Sequence, residues 1–222
     1  MAEPARPSYP AATKYQGDVA ARYVQRRDAD PTWQWEDDHV RRYVSSLPTG
    51  LEVLDVPVGT GRYVPIFLDA GWHVHGCDIS ADMIAVATEQ LGARAAECDL
   101  VVAPAEALPL GDQSVDVIVS GRFIQWIPTL PAVARVVEEL ARVGRDELFL
   151  QLRIPAKADP APSVRGAARD AARALRRSVK RRILERSAAP AAAITAHPEP
   201  ALLGILEQHG WELVSISEEC PS

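Results

Sequence analysis

The sequence predicts an α/β fold, a doubly wound and mainly parallel sheet with helices on both faces. Three observations predict it. Between residues 51 and 154 short apolar runs alternate with amphipathic segments, the pattern of a parallel sheet covered on both sides. Glycine stops and polar caps bound these runs at the spacing of strand–helix units. A chain of 222 residues, 47% apolar and 24% charged, suits one globular domain with an appended cap.

Residues 1–12 are rich in proline and alanine, and two helices follow, 13–27 and 33–47, broken at Pro31. Glu36, Asp37 and Asp38 suit the start of the second, where carboxylates meet the positive end of the helix dipole. Residues 1–48 thus form a helical cap and 49–222 the main domain. `LEVLDV` (51–56) is the first strand and `RYVPIFLDAG` (62–71) a helix with Pro65 in its first turn. `WHVHGCDI` (72–79) is the second strand, after which Ser80 caps `ADMIAVATEQLG`. `DLVVA` (99–103), `SVDVIVS` (114–120) and `ELFLQLRI` (147–154) are further strands, with the helix `PAVARVVEELARVG` before the last of them. A linker, `KADPAPS`, opens a basic helical insertion, 157–196. Within it Val164–Arg186 carries nine basic and two acidic residues around a stripe of Val164, Ala168, Ala172, Leu175, Val179 and Ile183. A closing helix, a stop at Gly210 and a final strand complete the chain.

A net charge of −6 and a pI near 5.4 argue against a dedicated nucleic-acid binder, the local arginine cluster apart. Cys77, Cys98 and Cys220 show no paired spacing, which points to a reducing compartment rather than a disulfide framework or a zinc site. The N-terminus has no signal pattern and no apolar run is long enough to span a bilayer, so the expected location is the cytoplasm. His73 and His75 share one strand face, but no matching ligand cluster accompanies them in sequence, and no metal is expected.

The first strand ends in Asp55 and turns through Gly59, Thr60 and Gly61; the second ends in Asp78, 19 residues after Gly59. Glycines there admit a ligand against backbone N–H groups, and a carboxylate ending the second strand can accept from two ribose hydroxyls. Val64 stands where a dinucleotide turn needs a third glycine, and Arg62-Tyr63 fill the approach of a pyrophosphate. The pattern favours a nucleoside without a diphosphate.

The segments `VLDVPVGTGRY`, `GWHVHGCDISADMIAVA` and `APAEALPLGDQSVDVIVSGRFIQWIP`, in this order, resemble the class I S-adenosylmethionine-dependent methyltransferases, with their Rossmann-like fold. The resemblance covers about 51–154 and the closing `LLGILEQHGWELVSI`. It implies S-adenosylmethionine as cofactor and S-adenosylhomocysteine as product. By position, Asp55 looks like the acid near the methionine amino group, Gly59, Thr60 and Gly61 like the turn, and Asp78, with Ile79, like the ribose site. Ala105 and Glu106 fall at the adenine, Ser120 at the methionine half. Two prolines depart from the pattern. Pro57 takes the first glycine position of the turn, which holds only if that position needs neither positive φ nor an N–H donor. Pro104 replaces the usual adenine-contacting aspartate.

`SGRFIQWIP` follows the fourth strand and should line the reaction cleft. Arg122, Trp126 and Arg153 are the acceptor-binding candidates, and Arg122, Gln125 and His197 the catalytic ones. The competing reading packs Phe123, Ile124 and Trp126 beneath the sheet, leaves Arg122 in solvent, and makes His197 part of a helix cap. The resemblance implies methyl transfer to oxygen or nitrogen of a small-molecule or oligomeric acceptor, and the basic insertion, where such enzymes often bind their acceptor, favours an anionic, phosphorylated or carboxylated one. An RNA methyltransferase guided by the arginine-rich helix and a non-catalytic binding protein are the alternatives. Sheets of the family commonly end in an antiparallel seventh strand. Here the final strand reads as the sixth, so a sheet without the seventh is expected, its edge open to the N-terminal helices or to a homodimer partner.

Overall fold

The structure, a computed structural model, describes residues 17, 19, 20, 22–24, 31–155, 180–189 and 197–217. Its centre is a sheet of strands β1 (Glu52–Asp55), β2 (His73–Asp78), β3 (Cys98–Val102), β4 (Val115–Gly121), β5 (Gly144–Pro155), β6 (Lys180–Ala189) and β7 (Trp211–Ser217). Helices α1 (Pro31–Ser45), α2 (Val64–Asp69), α3 (Ala81–Leu91), α4 (Leu130–Val143) and α5 (Glu199–Gln208) accompany it. The spatial order is β3-β2-β1-β4-β5-β6-β7, with every neighbouring pair parallel.

Local chemistry sets the helix starts. Ser80 Oγ accepts from Met83 N at the head of α3, and the Thr129 side chain accepts from Ala132 N at the head of α4. Pro65 and Pro131 sit in the first turns of α2 and α4, where a missing N–H costs nothing. α1 begins at Pro31, earlier than expected, and no acid falls in its first turn. Glu36, Asp37 and Asp38 are therefore not dipole-facing residues, a correction that matters below. Residues 19, 20 and 22–24 are helical, and the rest of the expected first helix lies outside the described residues.

Alternation along the strands divides the core in two. Val53, Val117, Val119 and Phe149 pack with Val40, Tyr43 and Val44 of α1 and with Ile66 and Phe67 of α2. Leu54, Ile118, Leu148 and Leu150 pack on the opposite face with Val133, Val136 and Leu140 of α4 and Leu206 of α5. A register shift between Val115 and Val117 lets Val115 join the second face without disturbing the rest of β4.

Two expectations are corrected at the C-terminal side. Residues 180–186 were expected to end an arginine-rich helix; they form β6, paired residue for residue with β5 and β7. The stripe ending at Val179 and Ile183 fits a helix by spacing, but hydrogen bonding on two sides outweighs so weak a local preference. The remainder of the expected helix, 164–179, lies outside the described residues. The final strand is consequently the seventh, not the sixth, and it is parallel.

Candidate functional site

The direction of strand order reverses between β1 and β4, and the carboxyl ends of β1, β2 and β4 open there into a cleft. The cleft is partly open to solvent. Asp55, Gly59, Thr60, Asp78, Ile79 and Ala105 line it, six of the residues expected at a cofactor.

The turn after β1 shows why Pro57 is tolerated. Its positive-φ positions are Gly59 (56°) and Gly61 (73°), and the Val56–Pro57 bond is cis. Proline thus stands where no left-handed backbone is required. The two glycines serve different purposes. A Cβ on Gly59 would meet nothing within 4 Å, whereas one on Gly61 would lie 3.3 Å from Ala87 Cβ in α3. Gly59 leaves room at the cleft, while Gly61 lets the turn pack on α3 and does not line the cleft.

Asp78 ties the turn to the second strand. One carboxylate oxygen accepts from Gly59 N at 3.0 Å and the other from Ser80 N at 2.8 Å. With Ser80 capping α3, Asp78 is not needed as a cap, and the three N–H groups it accepts from leave one of its four lone-pair sites for the cleft. Burial raises its pKa, and the N–H groups of Ser80, Gly59 and Ile79 oppose that rise. Asp55 is buried with Oδ2 unpartnered, and Thr60 Oγ1 is likewise buried and unpartnered. Burial, then the neighbouring Asp78, push Asp55 well above the usual carboxylate range, and Arg62 pulls it partly back.

The wall opposite comes from α1 and from the segment after β4. Arg122 lies over the Trp33 ring, its guanidinium carbon 3.6 Å from the centroid, and its Nε donates to Glu36 Oε1 at 2.8 Å. Arg62 lies over the same ring at 4.2 Å and donates to Glu36 Oε2 at 2.9 Å and Asp37 Oδ1 at 2.7 Å. Glu36, 0% exposed, therefore joins two arginines from two separate loops. Arg122 holds φ of 53°, a left-handed conformation in which Cβ crowds the following carbonyl oxygen. Trp126 also lines the cleft; Phe123 borders it as well as packing into the core with Ile124.

Other candidates lie elsewhere. Ser120 is fully buried at the end of β4 with Oγ unpartnered, and neither it nor Glu106 lines the cleft. Gln125 is buried outside the lining. His197 places Nε2 2.7 Å from Ile127 O, an N–H donation that positions the approach to α5 rather than a base facing the cleft. Arg153 sits in β5 opposite Ser187 of β6. The expectation that no ligand cluster joins His73 and His75 is corrected: Glu52 of β1 and Asp99 of β3 approach them from either side. The sequence reading also missed Trp33 and Glu36, because `WQWEDD` looks like any helix entry and its partners are more than 25 residues away.

Comparison with known proteins agrees with this geometry. Residues 54–148 match the methyltransferase domain family. A malonyl-[acyl-carrier protein] O-methyltransferase of Pectobacterium atrosepticum is 41% identical over 107 residues, 47% of this chain and 39% of that protein. The enzyme of the same name from Enterobacter lignolyticus is 31% identical across 64% of this chain and 55% of its own length. A tRNA (carboxymethyluridine(34)-5-O)-methyltransferase of Arabidopsis thaliana is 27% identical over 52% of this chain and 26% of that protein. The chain spans about half the length, or less, of the curated relatives it matches. Among solved structures, Haemonchus contortus phosphoethanolamine N-methyltransferase 2, in complex with phosphomonomethylethanolamine and S-adenosylhomocysteine, shares the fold with a TM-score of 0.52. It is 23% identical over 60% of this chain and 32% of that one.

Proposed function

We propose, for a chain that belongs through residues 54–148 to the class I S-adenosylmethionine-dependent methyltransferases, that its cleft aligns this cofactor with an acidic acceptor. The observation that carries the reading is the pairing of two buried carboxylates, Asp55 and Asp78, around a glycine turn at the strand switch point. S-adenosylmethionine supplies the activated methyl group on a sulfonium. The residues fit it: Asp55, with an unpartnered oxygen, would hold the amino group, and Thr60, which lines the same cleft, has an unpartnered Oγ1. Asp78 would accept from the ribose through its remaining lone pair, and Ala105 would border the base.

The acceptor is an anion. Arg122 is paired with Glu36 through Nε, while its Nη2 makes no hydrogen bond and its side chain lines the cleft, which leaves guanidinium N–H capacity for a carboxylate there. The malonyl group in the name of the Pectobacterium and Enterobacter relatives carries such a carboxylate. An ionised carboxylate is already a nucleophile and needs no base, so this chain has only to align it and exclude water. That Gln125 and His197 lie outside the lining supports an acceptor of this kind.

Titration calorimetry with S-adenosylmethionine and S-adenosylhomocysteine tests the cofactor. Wild type binds both, and Asp78→Ala loses at least tenfold in affinity; a wild type that binds neither overturns the reading. Transfer to malonyl-loaded carrier protein tests the acceptor, with Arg122→Ala raising KM for it while leaving cofactor affinity unchanged. A second reading, methylation of tRNA, draws on the Arabidopsis relative and on the basic residues of 164–186. Tight tRNA binding that weakens steeply with salt, and no transfer to the carrier protein, is its signature.

A further inference from the structure

At the end of the sheet remote from the cleft, three neighbouring strands bring four metal-binding side chains to one face. Glu52 opens β1, His73 and His75 alternate at the start of β2, and Asp99 lies in β3. Glu52 is in register with His73, and Asp99 with His75. We propose that Glu52, His73 and His75 bind one zinc ion, with Asp99 orienting His75 from behind.

Asp99 stands beside both histidines, its Oδ2 3.3 Å from His75 Nδ1 and 3.8 Å from His73 Nε2. One ligand atom from each of Glu52, His73 and His75 falls in a group whose members all lie within 4.8 Å of one another. Tetrahedral zinc holds nitrogen and oxygen ligands at about 2.0–2.2 Å, hence about 3.3 Å from each other. Closing that gap asks for about 1.5 Å of side-chain movement at most from the widest pair. Rotation of His73, 56% exposed, and Glu52, 38% exposed, supplies it without moving the strands. His75 Nε2 already sits 2.9 Å from Glu52 Oε2, while its Nδ1 lies 3.3 Å from Asp99 Oδ2. With a cation bound, the ring proton rests on Nδ1 facing Asp99, and Nε2 presents its lone pair to the metal. A carboxylate behind a ligating histidine fixes its tautomer in this way. Imidazole with carboxylate suits zinc and disfavours magnesium or calcium, which prefer all-oxygen shells.

Three protein ligands leave a fourth position for water or an outside ligand. The site is nonetheless not part of methyl transfer. His73 starts the strand that Asp78 ends, and five residues of extended chain separate them by about 17 Å. Its consequence is mechanical, a clamp across β1 and β2 braced by β3, and it stands independently of the cofactor reading.

The test uses the full chain without a polyhistidine tag, stripped by a chelator and titrated with zinc. One ion binds per chain, thermal stability rises, and His73→Asn or His75→Asn lowers affinity at least tenfold. Asp99→Asn lowers it less, and His209→Asn leaves it unchanged. Circular dichroism establishes that each variant is folded; should His75→Asn unfold, the exposed His73→Asn decides. No stoichiometric zinc binding, binding equal in wild type and His73→Asn, or equal binding of magnesium and calcium each overturns the site.

Discussion

Asp55 ends β1 beside a second carboxylate, with one oxygen unpartnered and its pKa raised by burial and by Asp78. In this window the folded chain holds more protons than the unfolded one. Without ligand, stability therefore falls as pH rises from the unfolded carboxylate value, about 4, through the raised value. A cationic amine beside Asp55 reverses the balance, because it favours the ionised form. Cofactor affinity is accordingly expected to rise with pH across the Asp55 titration, and calorimetry in buffers of different ionisation enthalpy should register proton release. An affinity flat with pH removes Asp55 from the amine site. Cys77 lines the same cleft, and burial, with Asp55 and Asp78 adding to it, pushes its thiol up to about 12. It should resist iodoacetamide at neutral pH in the native chain and react once the chain unfolds, as mass spectrometry of the labelled protein would show. Of these residues, the two aspartates and Gly59 are legible in sequence, because each occupies a fixed offset from a strand end. Gly61 is legible as a glycine but not in its purpose, since Ala87 and Leu91, its neighbours in α3, lie in a different segment.

Helix α1 owes its position to more than its apolar stripe. Val40, Tyr43 and Val44 pack on the sheet, but Glu36 and Trp33 fasten the helix to Arg62 and Arg122 at the rim of the cleft. Removing the shared carboxylate strands Arg122 and leaves Arg62 with Asp37 as its remaining carboxylate partner. Glu36→Ala should cost about 3–5 kcal/mol in urea denaturation, the usual penalty for breaking a buried ion pair from one side. It should also raise acceptor KM, since Arg122 loses its anchor. A loss under 1 kcal/mol, the range of an exposed pair, would show that α1 is held by packing alone. The helix itself was readable from its periodicity. Its use was not, because helix propensity carries no information about partners in distant loops. β6 illustrates the opposite failure: five of its ten residues are charged, and only pairing with β5 and β7 makes them a strand.

Two apolar layers, one beneath α1 and α2 and the other beneath α4 and α5, enclose the middle of the sheet, so its strands differ in protection. Val53 and Leu54 of β1 and Ile118 and Val119 of β4 are fully buried, whereas Val101 and Val102 of the edge strand β3 are 40% and 51% exposed. Hydrogen exchange should be slowest in β1 and β4 and fastest in β3 and β7; uniform rates across the sheet would contradict that gradient. β1 to β5 were legible as alternating apolar runs, since strands buried on both faces announce themselves. The closing strand β7 was legible too, after its glycine stop, whereas β6 was not, because five of its ten residues are charged and only its neighbours on both sides make it a strand. The strand order has one more consequence. β1 lies inside, β2 and β3 extend the sheet outward on one side, and β4, β5, β6 and β7 extend it in turn on the other. Each strand joins a free border and none has to be wedged between two already in place. As the chain leaves the ribosome from its N-terminus, the sheet can widen by simple accretion, and the cleft's strands are assembled before the last three have been synthesised.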